Sequence, residues 1–487
     1  MPASPADLAA IESHLAAGRL HDARLLSERV AAKAPRDPVA WLAVAKVAMA
    51  IDRLDEADRA IESAAAIAPQ DDRVLFLGGQ IDASFGRVDR AVARLGTVAH
   101  GAGPLARESS MALCDTLFIA GRLDDLQAET SRPVPWQDDP RHAFHAARAA
   151  AQRDPESTLA TILDLAERDA PPAIRRVIGF DAVTRLDRAG RHREAFDLAT
   201  RLHASTGSLF DLDAMLAPLR GQRDMLAKVG RWFTPQASRV DEVAILVALP
   251  RSGTTLLEQM LDGHPAIGAI GEHRGIRDAF ESLASLGKVG RALAMLTAAE
   301  ANVVQKAYLD GARRHRRPGA TWALDKTLFA WRVLPVIAAV LPGAKCLSLL
   351  RDPRDLAISV FLSYFDPHRD GWTASLDSIR RVIEAHDALL PAALATLGLE
   401  HEVVVYEDLV DNPSREASRC LRLLGLELDD AVLKPESNPR TAYTLSHAQV
   451  RAPIHRGSIG RWRRYDWAFG PEWDPLVARH EARRVTR

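Results

Sequence analysis

The chain has 487 residues, of which 47% are hydrophobic and 26% charged, and its formal net charge is −1. This length predicts about two to four domains. The neutral balance excludes a general electrostatic attraction to nucleic acid or to an anionic membrane. The three cysteines are far apart in sequence, which indicates neither a disulfide framework nor a metal site and favours a reducing compartment.

The first residues contain no basic segment followed by an apolar one, as a secretory leader would. The chain also contains no run of 18 apolar residues. The sequence therefore predicts a cytoplasmic protein without a membrane span.

A repeat dominates the first part of the chain. The tripeptide GRL, or a close variant, recurs after 34, 34 and 35 residues, at Gly18–Leu20, Asp52–Leu54, Gly86–Val88 and Gly121–Leu123. Small residues keep one phase in three of these units, at Ala23, Ala57 and Ala91. Apolar residues at steps of three and four predict two helices per unit. The 34-residue period resembles that of tetratricopeptide repeats, so residues 1–135 are predicted to form an α-solenoid of this type.

Residues 136–238 are predicted to continue as further helical repeats and a connector, because Gly190–His203 resembles another repeat opening. Such arrays form concave surfaces that hold peptides or partner proteins. A purely structural role or self-association is the alternative, since repeats alone do not name a ligand.

Residues 239–487 have a different pattern. β-branched and apolar runs alternate with helical patterns, at Val243–Leu249, Ala320–Leu324, Ala344–Leu350 and Glu402–Tyr406. This alternation predicts a parallel sheet with helices on both faces. Anion-binding turns are expected at the carboxyl ends of such strands.

One such turn follows the first strand and reads Pro-Arg-Ser-Gly-Thr-Thr before an apolar helical pattern. Its predicted anion-binding residues are Arg251, Ser252, Gly253, Thr254 and Thr255. Glycine allows an unusual backbone conformation, and a helix N-terminus binds a phosphate-like anion. The turn is not a Walker A loop, because no lysine precedes the hydroxyl residues.

A second turn of this kind follows the run that ends at Leu350. Arg351 lies at the strand end, where a guanidinium can bind a phosphate through two hydrogen bonds. Ser359 lies about two helical turns further on and can reach the same anion if a helix begins near Pro353. The alternative for Arg351 is a salt bridge to Asp352 or Asp355.

Together the two turns resemble the 5′-phosphosulfate loop and the 3′-phosphate site of sulfotransferases, in particular tyrosylprotein sulfotransferases and bacterial proteins that join tetratricopeptide repeats to a sulfotransferase domain. The resemblance spans roughly residues 243–467. It implies a P-loop-like α/β fold, 3′-phosphoadenylyl sulfate as co-substrate without a metal, and a hydroxyl acceptor that is a protein, peptide or small molecule.

The same resemblance implies roles for further residues. Glu272, in GEHRG, would be the catalytic base, Lys326, in LDKTL, the donor-contacting lysine, and Tyr406 the adenine-contacting tyrosine. His273 is the second candidate for the base, because its ordinary pKa is nearer neutrality. The segment that resembles the closure over the nucleotide contributes Ser446, Gln449 and Arg461.

Each assignment has a simpler alternative. Glu272 and His273 could cap the following helix, Lys326 could be a surface lysine paired with Asp325, and Tyr406 could pack in a strand. A basic cluster could indicate nucleic-acid contact, at Arg451, His455, Arg456, Arg461, Arg463 and Arg464. The neutral chain argues against nucleic acid and favours a local site for the 3′-phosphate.

The sequence also departs from the tyrosylprotein enzymes. Gly271 and His273 flank Glu272 where those enzymes have an acidic pair and a threonine, and Ser363 replaces a further arginine. Three hypotheses follow: a sulfotransferase whose repeats recruit the acceptor or a partner, a non-catalytic nucleotide-binding repeat scaffold, and a P-loop kinase or nucleoside triphosphatase. The missing Walker lysine argues against the third. A homodimer is compatible with both the repeats and the resemblance.

Overall fold

The computed structural model describes residues 2–168, 170–206, 210–438, 440 and 453–485. The chain divides into two compact units, residues 1–178 and 179–487. The division falls inside the helix Pro172–Arg188, within the segment predicted as repeats and connector. In the parts of the chain described here, no helix has both the length and the apolarity that crossing a bilayer requires.

Helices joined by short turns make up the first unit. Its complete helices are α1 (Pro5–Ala16), α2 (Leu20–Lys33), α3 (Pro38–Ala50), α4 (Leu54–Ile67), α5 (Asp72–Ser84), α6 (Val88–Ala99), α7 (Ala106–Ala120), α8 (Leu123–Thr130), α9 (Pro140–Ala150) and α10 (Pro155–Glu167). The predicted α-solenoid pattern is therefore present as helix–turn–helix units.

The repeated tripeptides lie at the turns between paired helices. Their first residues have left-handed backbone conformations, with φ values of 68°, 61°, 70° and 71° at Gly18, Asp52, Gly86 and Gly121. Glycine adopts this conformation without strain and aspartate tolerates it, which explains the residue types at this position. The in-phase alanines are fully buried, since Ala23, Ala57 and Ala91 each have 0% exposure.

The second unit contains a five-stranded sheet and the remaining helices. The strands are β1 (Val243–Val247), β2 (Ile267–Gly271), β3 (Trp322–Asp325), β4 (Lys345–Leu350) and β5 (His401–Val405). The helix α11 (Pro172–Arg188) crosses the division, and its residues 179–188 belong to the second unit. The other helices of this unit are α12 (His192–Ala204), α13 (Leu212–Val229), α14 (Thr254–Asp262), α15 (Gly275–Ser285), α16 (Ala298–His315), α17 (Leu334–Val340), α18 (Pro353–Phe361), α19 (Leu376–Leu397), α20 (Tyr406–Asp411), α21 (Pro413–Leu423) and α22 (Asp474–Val485).

The sheet is parallel throughout, with the strand order β2-β3-β1-β4-β5. In the central pair, Ala244 lies opposite Lys345. The predicted parallel sheet is confirmed, and the structure adds β2, which the sequence analysis did not predict. β1 also ends at Val247 rather than Leu249, and Tyr406 begins α20 instead of ending β5.

The order of the strands determines where a ligand can bind. After β1 the chain builds β2 and β3 on one side of it, and then crosses to β4 and β5 on the other side. The turns after β1 and β4 therefore lead away in opposite directions and leave a crevice at the carboxyl ends of these strands. Both predicted anion-binding turns border this crevice.

Candidate active site

The turn after β1 has a constrained backbone. Gly253 has a φ of 101°, and Arg251 has a φ of 68°, which few non-glycine residues adopt. A Cβ at Gly253 would lie 2.3 Å from the Tyr406 ring, so the glycine is required by packing as well as by conformation. The Ser252 hydroxyl donates to the Leu249 carbonyl. The helix α14 begins at Thr254, and its first amides and positive dipole end face the turn.

Arg351 joins this turn to the one after β4. Its Nη1 donates to the Arg251 carbonyl at 2.8 Å, and its Nη2 donates to the Ser458 carbonyl at 2.6 Å. Its guanidinium lies 4.7 Å from the centre of the Tyr406 ring. Asp352 instead caps α18, as an acceptor from the Arg354 amide. The two predicted anion-binding turns therefore lie in direct contact.

Positive charge accumulates at this junction. The Nε of Arg251 donates to the Ser359 hydroxyl at 3.0 Å. Burial, together with the charges of Arg351 and Arg461, lowers the pKa of Arg251 to about 9. The buried Nε of Arg351 has no hydrogen-bond partner among the described residues. Because like charges repel, this arrangement favours the binding of an anion.

A segment near the C-terminus borders the same junction. The buried Asp355 carboxylate accepts hydrogen bonds from the amides of Gly460, at 2.6 Å, and Trp462, at 2.8 Å. Arg461, between them, ion-pairs with Asp187 of α11 at 2.8 Å. Ser446 and Gln449, which the sequence also assigned to the nucleotide site, lie outside the described residues.

A lysine and a glutamate meet at the carboxyl ends of β2 and β3. Lys326 is 2% exposed, and its Nζ lies 3.3 Å from Glu272 and 3.7 Å from Glu258 of α14. The Glu272 side chain is 50% exposed. The alternative of a surface lysine paired with Asp325 is therefore wrong, because Lys326 is buried and pairs with the two glutamates.

His273 has different surroundings from Glu272. Its Nδ1 accepts a hydrogen bond from the Gly275 amide at 3.1 Å, in the first turn of α15. Its ring lies so close to Gly311 of α16 that a Cβ there would be 2.8 Å away. His273 therefore makes the helix-capping contact that the sequence analysis gave as an alternative for both residues. Glu272 instead pairs with Lys326.

Comparison with known proteins finds a family match in each of the two units. Residues 14–81 match the tetratricopeptide repeat, and residues 244–430 match the sulfotransferase family. The chain joins tetratricopeptide repeats to a sulfotransferase domain. The second range contains both turns, Glu272 and Lys326.

Three further proteins are similar to parts of this chain. Protein-tyrosine sulfotransferase 1 of Danio rerio is 28% identical over 55% of this chain and 77% of that protein. An uncharacterized protein of Aquifex aeolicus is 24% identical over 62% of this chain, which spans only 41% of that protein. The solved sulfotransferase domain from the curacin biosynthetic pathway is 17% identical, covers 50% of this chain and 98% of that domain, and has a TM-score of 0.34.

Sequence reasoning missed the contacts of three acidic residues in and around the sulfotransferase domain. Glu258 contacts Lys326, Asp355 holds the amides of the C-terminal segment, and Asp187 holds Arg461. Glu258 is 1% exposed, and its position within the apolar pattern of α14 was a usable signal of a buried charge. Asp187 had no comparable signal, because Arg461 and Tyr465, which donate hydrogen bonds to it, lie 274 and 278 residues away in sequence.

Proposed function

We propose that the sulfotransferase domain transfers a sulfuryl group from 3′-phosphoadenylyl sulfate to a hydroxyl acceptor. The observation that carries this proposal is the hydrogen bond from Arg351 to the Arg251 carbonyl. It links the two predicted anion-binding turns, which supports one site with two anion positions. The donor has two matching anionic groups, a 5′-phosphosulfate and a 3′-phosphate.

The two proposed anion positions offer different hydrogen-bond donors. The amides at the start of α14 suit the 5′-phosphosulfate, because a helix N-terminus offers N–H donors and a positive dipole. Arg351, with Arg251 and Ser359 beside it, suits the 3′-phosphate, because guanidinium groups bind phosphate through paired hydrogen bonds. Tyr406 borders both positions through its contacts with Gly253 and Arg351.

The transfer itself needs one base and one stabilising cation. The acceptor hydroxyl oxygen attacks the sulfur, and the bond between sulfur and the 5′-phosphate oxygen breaks. Glu272 accepts the hydroxyl proton, and Lys326 stabilises the charge that grows on the leaving oxygen. The products are the sulfated acceptor and adenosine 3′,5′-bisphosphate. As in phosphoryl transfer, positioning and charge stabilisation dominate the rate.

A protein tyrosine is the acceptor that we propose to test first. The similarity to a protein-tyrosine sulfotransferase supports it, and tetratricopeptide repeats suit the recruitment of a protein. A phenol, with an ordinary pKa of about 10, also needs less help from a base than an alkyl alcohol does.

Calorimetric titration with adenosine 3′,5′-bisphosphate tests the donor site. We expect the wild-type chain to bind the bisphosphate and Arg351→Ala to lose that binding. Arg380→Ala is the matched control, because Arg380 forms ion pairs within α19. Binding of ATP with Mg²⁺ but not of the bisphosphate would contradict the proposal. Binding of the bisphosphate without transfer to any hydroxyl acceptor would favour a non-catalytic scaffold.

A further inference from the structure

A buried carboxylate from outside the matched sulfotransferase region reaches the candidate donor site. Asp187, near the end of α11, is 9% exposed. Its oxygens lie 2.8 Å from Nη2 of Arg461 and 3.4 Å from Nδ1 of His192, and they accept a hydrogen bond from the Tyr465 hydroxyl. Asp187 lies between the two ranges that match known families.

The helix that follows Asp187 packs against the helix that carries Ser359. The Nε2 of His203, in α12, donates to the Phe361 carbonyl at the end of α18, at 2.9 Å. The Phe196 ring, also in α12, lies 4.8 Å from the Phe361 ring. The helix α12, which follows Asp187 in the chain, therefore has a defined position relative to α18 and Ser359.

The charges explain why Arg461 needs such a partner. Arg461 lies between Gly460 and Trp462, whose amides the Asp355 carboxylate binds. The Ser458 carbonyl of the same segment accepts a hydrogen bond from Arg351. The charge of Arg461 also contributes to the lowered pKa of Arg251, after burial and Arg351. Without a nearby anion, repulsion from these cations would drive Arg461 away from them. Asp187 supplies the opposing negative charge. Burial and the Asp187 carboxylate also raise the pKa of Tyr465, which therefore remains a hydrogen-bond donor.

We propose that Asp187 is a positioning residue of the donor site, which holds Arg461 beside Arg251 before the donor arrives. The proposal rests on the proposed function, because it takes the 3′-phosphate as the anion that the arginines bind. A guanidinium has five N–H donors, so Arg461 can keep Asp187 while it also binds a phosphate oxygen. In this way a helical hairpin that precedes the matched domain takes part in donor binding.

A double-mutant cycle on the full chain tests this role, with adenosine 3′,5′-bisphosphate as the titrated ligand. Asp187→Asn should weaken binding by about ten-fold, a loss typical of a charge-assisted hydrogen bond. In an Arg461→Gln background the same substitution should have little further effect, because Asp187 acts through Arg461. Asp181→Asn, the matched control, removes an ion pair with Arg185 within α11 and should bind like the wild type.

The outcomes separate this proposal from the proposed function. Failure of the wild-type chain to bind the bisphosphate would overturn both. Equal affinity of the wild type and Asp187→Asn for the bisphosphate would overturn the positioning role alone. The same holds if Asp187→Asn lowers the affinity by as much in the Arg461→Gln background as it does in the wild type. If Asp187→Asn does not fold, Tyr465→Phe takes its place in the cycle, because it removes one hydrogen bond to Asp187 and keeps the ring. Tyr465→Phe should then lower the affinity for the bisphosphate by less than ten-fold, and only when Arg461 is present. No loss of affinity, or a loss that persists without Arg461, would overturn the positioning role.

Discussion

Lys326 lies between two carboxylates of unequal exposure, and this difference separates their roles. Glu258 is 1% exposed and also pairs with Arg440, at 3.1 Å. Glu272 is half exposed, so an acceptor hydroxyl can reach it. A buried ammonium requires a paired charge, which Glu258 supplies. Glu272 therefore fits the role of the group that exchanges a proton with the acceptor.

Replacement of Glu272 tests this role. Glu272→Gln should slow sulfuryl transfer by roughly 10²–10⁴-fold, the usual contribution of a general base. Affinity for adenosine 3′,5′-bisphosphate should stay within about two-fold, because the base contacts the acceptor. Single-turnover transfer from the labelled donor measures the rate, with Glu281→Gln on the surface of α15 as control. A rate that survives this substitution but is lost in His273→Gln would assign the base to His273.

Asp325, next to Lys326, is an unusual carboxyl group. It is fully buried, and its oxygens lie 2.6 Å from the Thr327 hydroxyl and 3.0 Å from the Tyr308 hydroxyl. The Thr327 hydroxyl also lies 2.6 Å from the His273 carbonyl, which can only accept. When Thr327 donates its single proton to that carbonyl, only a protonated Asp325 can complete the other short contact.

The stability of the chain should depend on this proton. Burial raises the pKa of Asp325 to about 7, whereas an unfolded Asp titrates near 3.9. Its contribution to the free energy of unfolding is therefore complete below about pH 4 and is lost as the pH rises through 7. The difference between these two pKa values corresponds to a contribution to the free energy of unfolding on the order of 4 kcal/mol.

Urea unfolding at pH 5 and pH 8 measures this contribution. Between these values the wild type should lose more stability than Asp325→Asn, whose amide does not titrate. Other titrating groups contribute equally to both proteins, so the difference isolates Asp325. An identical pH dependence in the two proteins would show that Asp325 is ionised throughout this range.

At the scale of elements, the turn between β1 and α14 depends on a glycine. Gly253→Ala adds a Cβ that would lie 2.3 Å from the Tyr406 ring, at a φ of 101°. We expect it to lower the free energy of unfolding by about 1–3 kcal/mol and to weaken binding of the bisphosphate. Thermal unfolding and calorimetry measure the two effects.

A second glycine serves as a control that has the backbone strain of a positive φ without the steric clash. Gly287 also has a positive φ, 66°, but a Cβ there would meet nothing within 4 Å. Gly287→Ala should therefore lower stability less than Gly253→Ala and should leave bisphosphate binding intact. Equal effects of the two substitutions would mean that the Tyr406 ring moves aside without cost.

The elements that the sequence predicted well are those with a strong local pattern. The repeat period located the turns of the first unit because each requires a left-handed residue. Four strands were predicted from apolar or β-branched runs. β2 was missed because its residues, IGAIG, include two glycines and an alanine, which have low strand propensity. Hydrogen bonds to β3, rather than local propensity, make this segment a strand.

The candidate site was predictable where its residues adjoin strand ends. Arg251, Arg351 and Lys326 each follow a predicted strand, and parallel strands bring their carboxyl ends to one edge of the sheet. Contacts between distant segments were not predictable, because a single sequence does not specify which loops meet. Asp355 with Gly460 and Asp187 with Arg461 belong to this class. The assignments of Ser446 and Gln449 remain predictions.

For the whole molecule, the two units have separate hydrophobic cores. The core beneath the sheet includes Leu246, Leu324 and Leu347, all fully buried. Cores of the first unit are built from the repeat helices, with Ala45 and Ile61 at 0% exposure. A ligand that binds the second unit stabilises that unit directly by mass action. Its effect on the first unit depends on whether the two unfold together.

Hydrogen exchange with and without adenosine 3′,5′-bisphosphate distinguishes these cases. At a free ligand concentration about 100 times the Kd, the second unit should gain about 2.7 kcal/mol, so amides that exchange by its global opening should slow about 100-fold. Those amides include the ones in β1 and β4, whereas amides of α3 and α4 should change little because they belong to the other core. Equal slowing in both units would mean that the chain unfolds as one cooperative body. Arg351→Ala is the control, because loss of donor binding should abolish the protection in β1 and β4 while leaving the exchange of α3 and α4 unchanged.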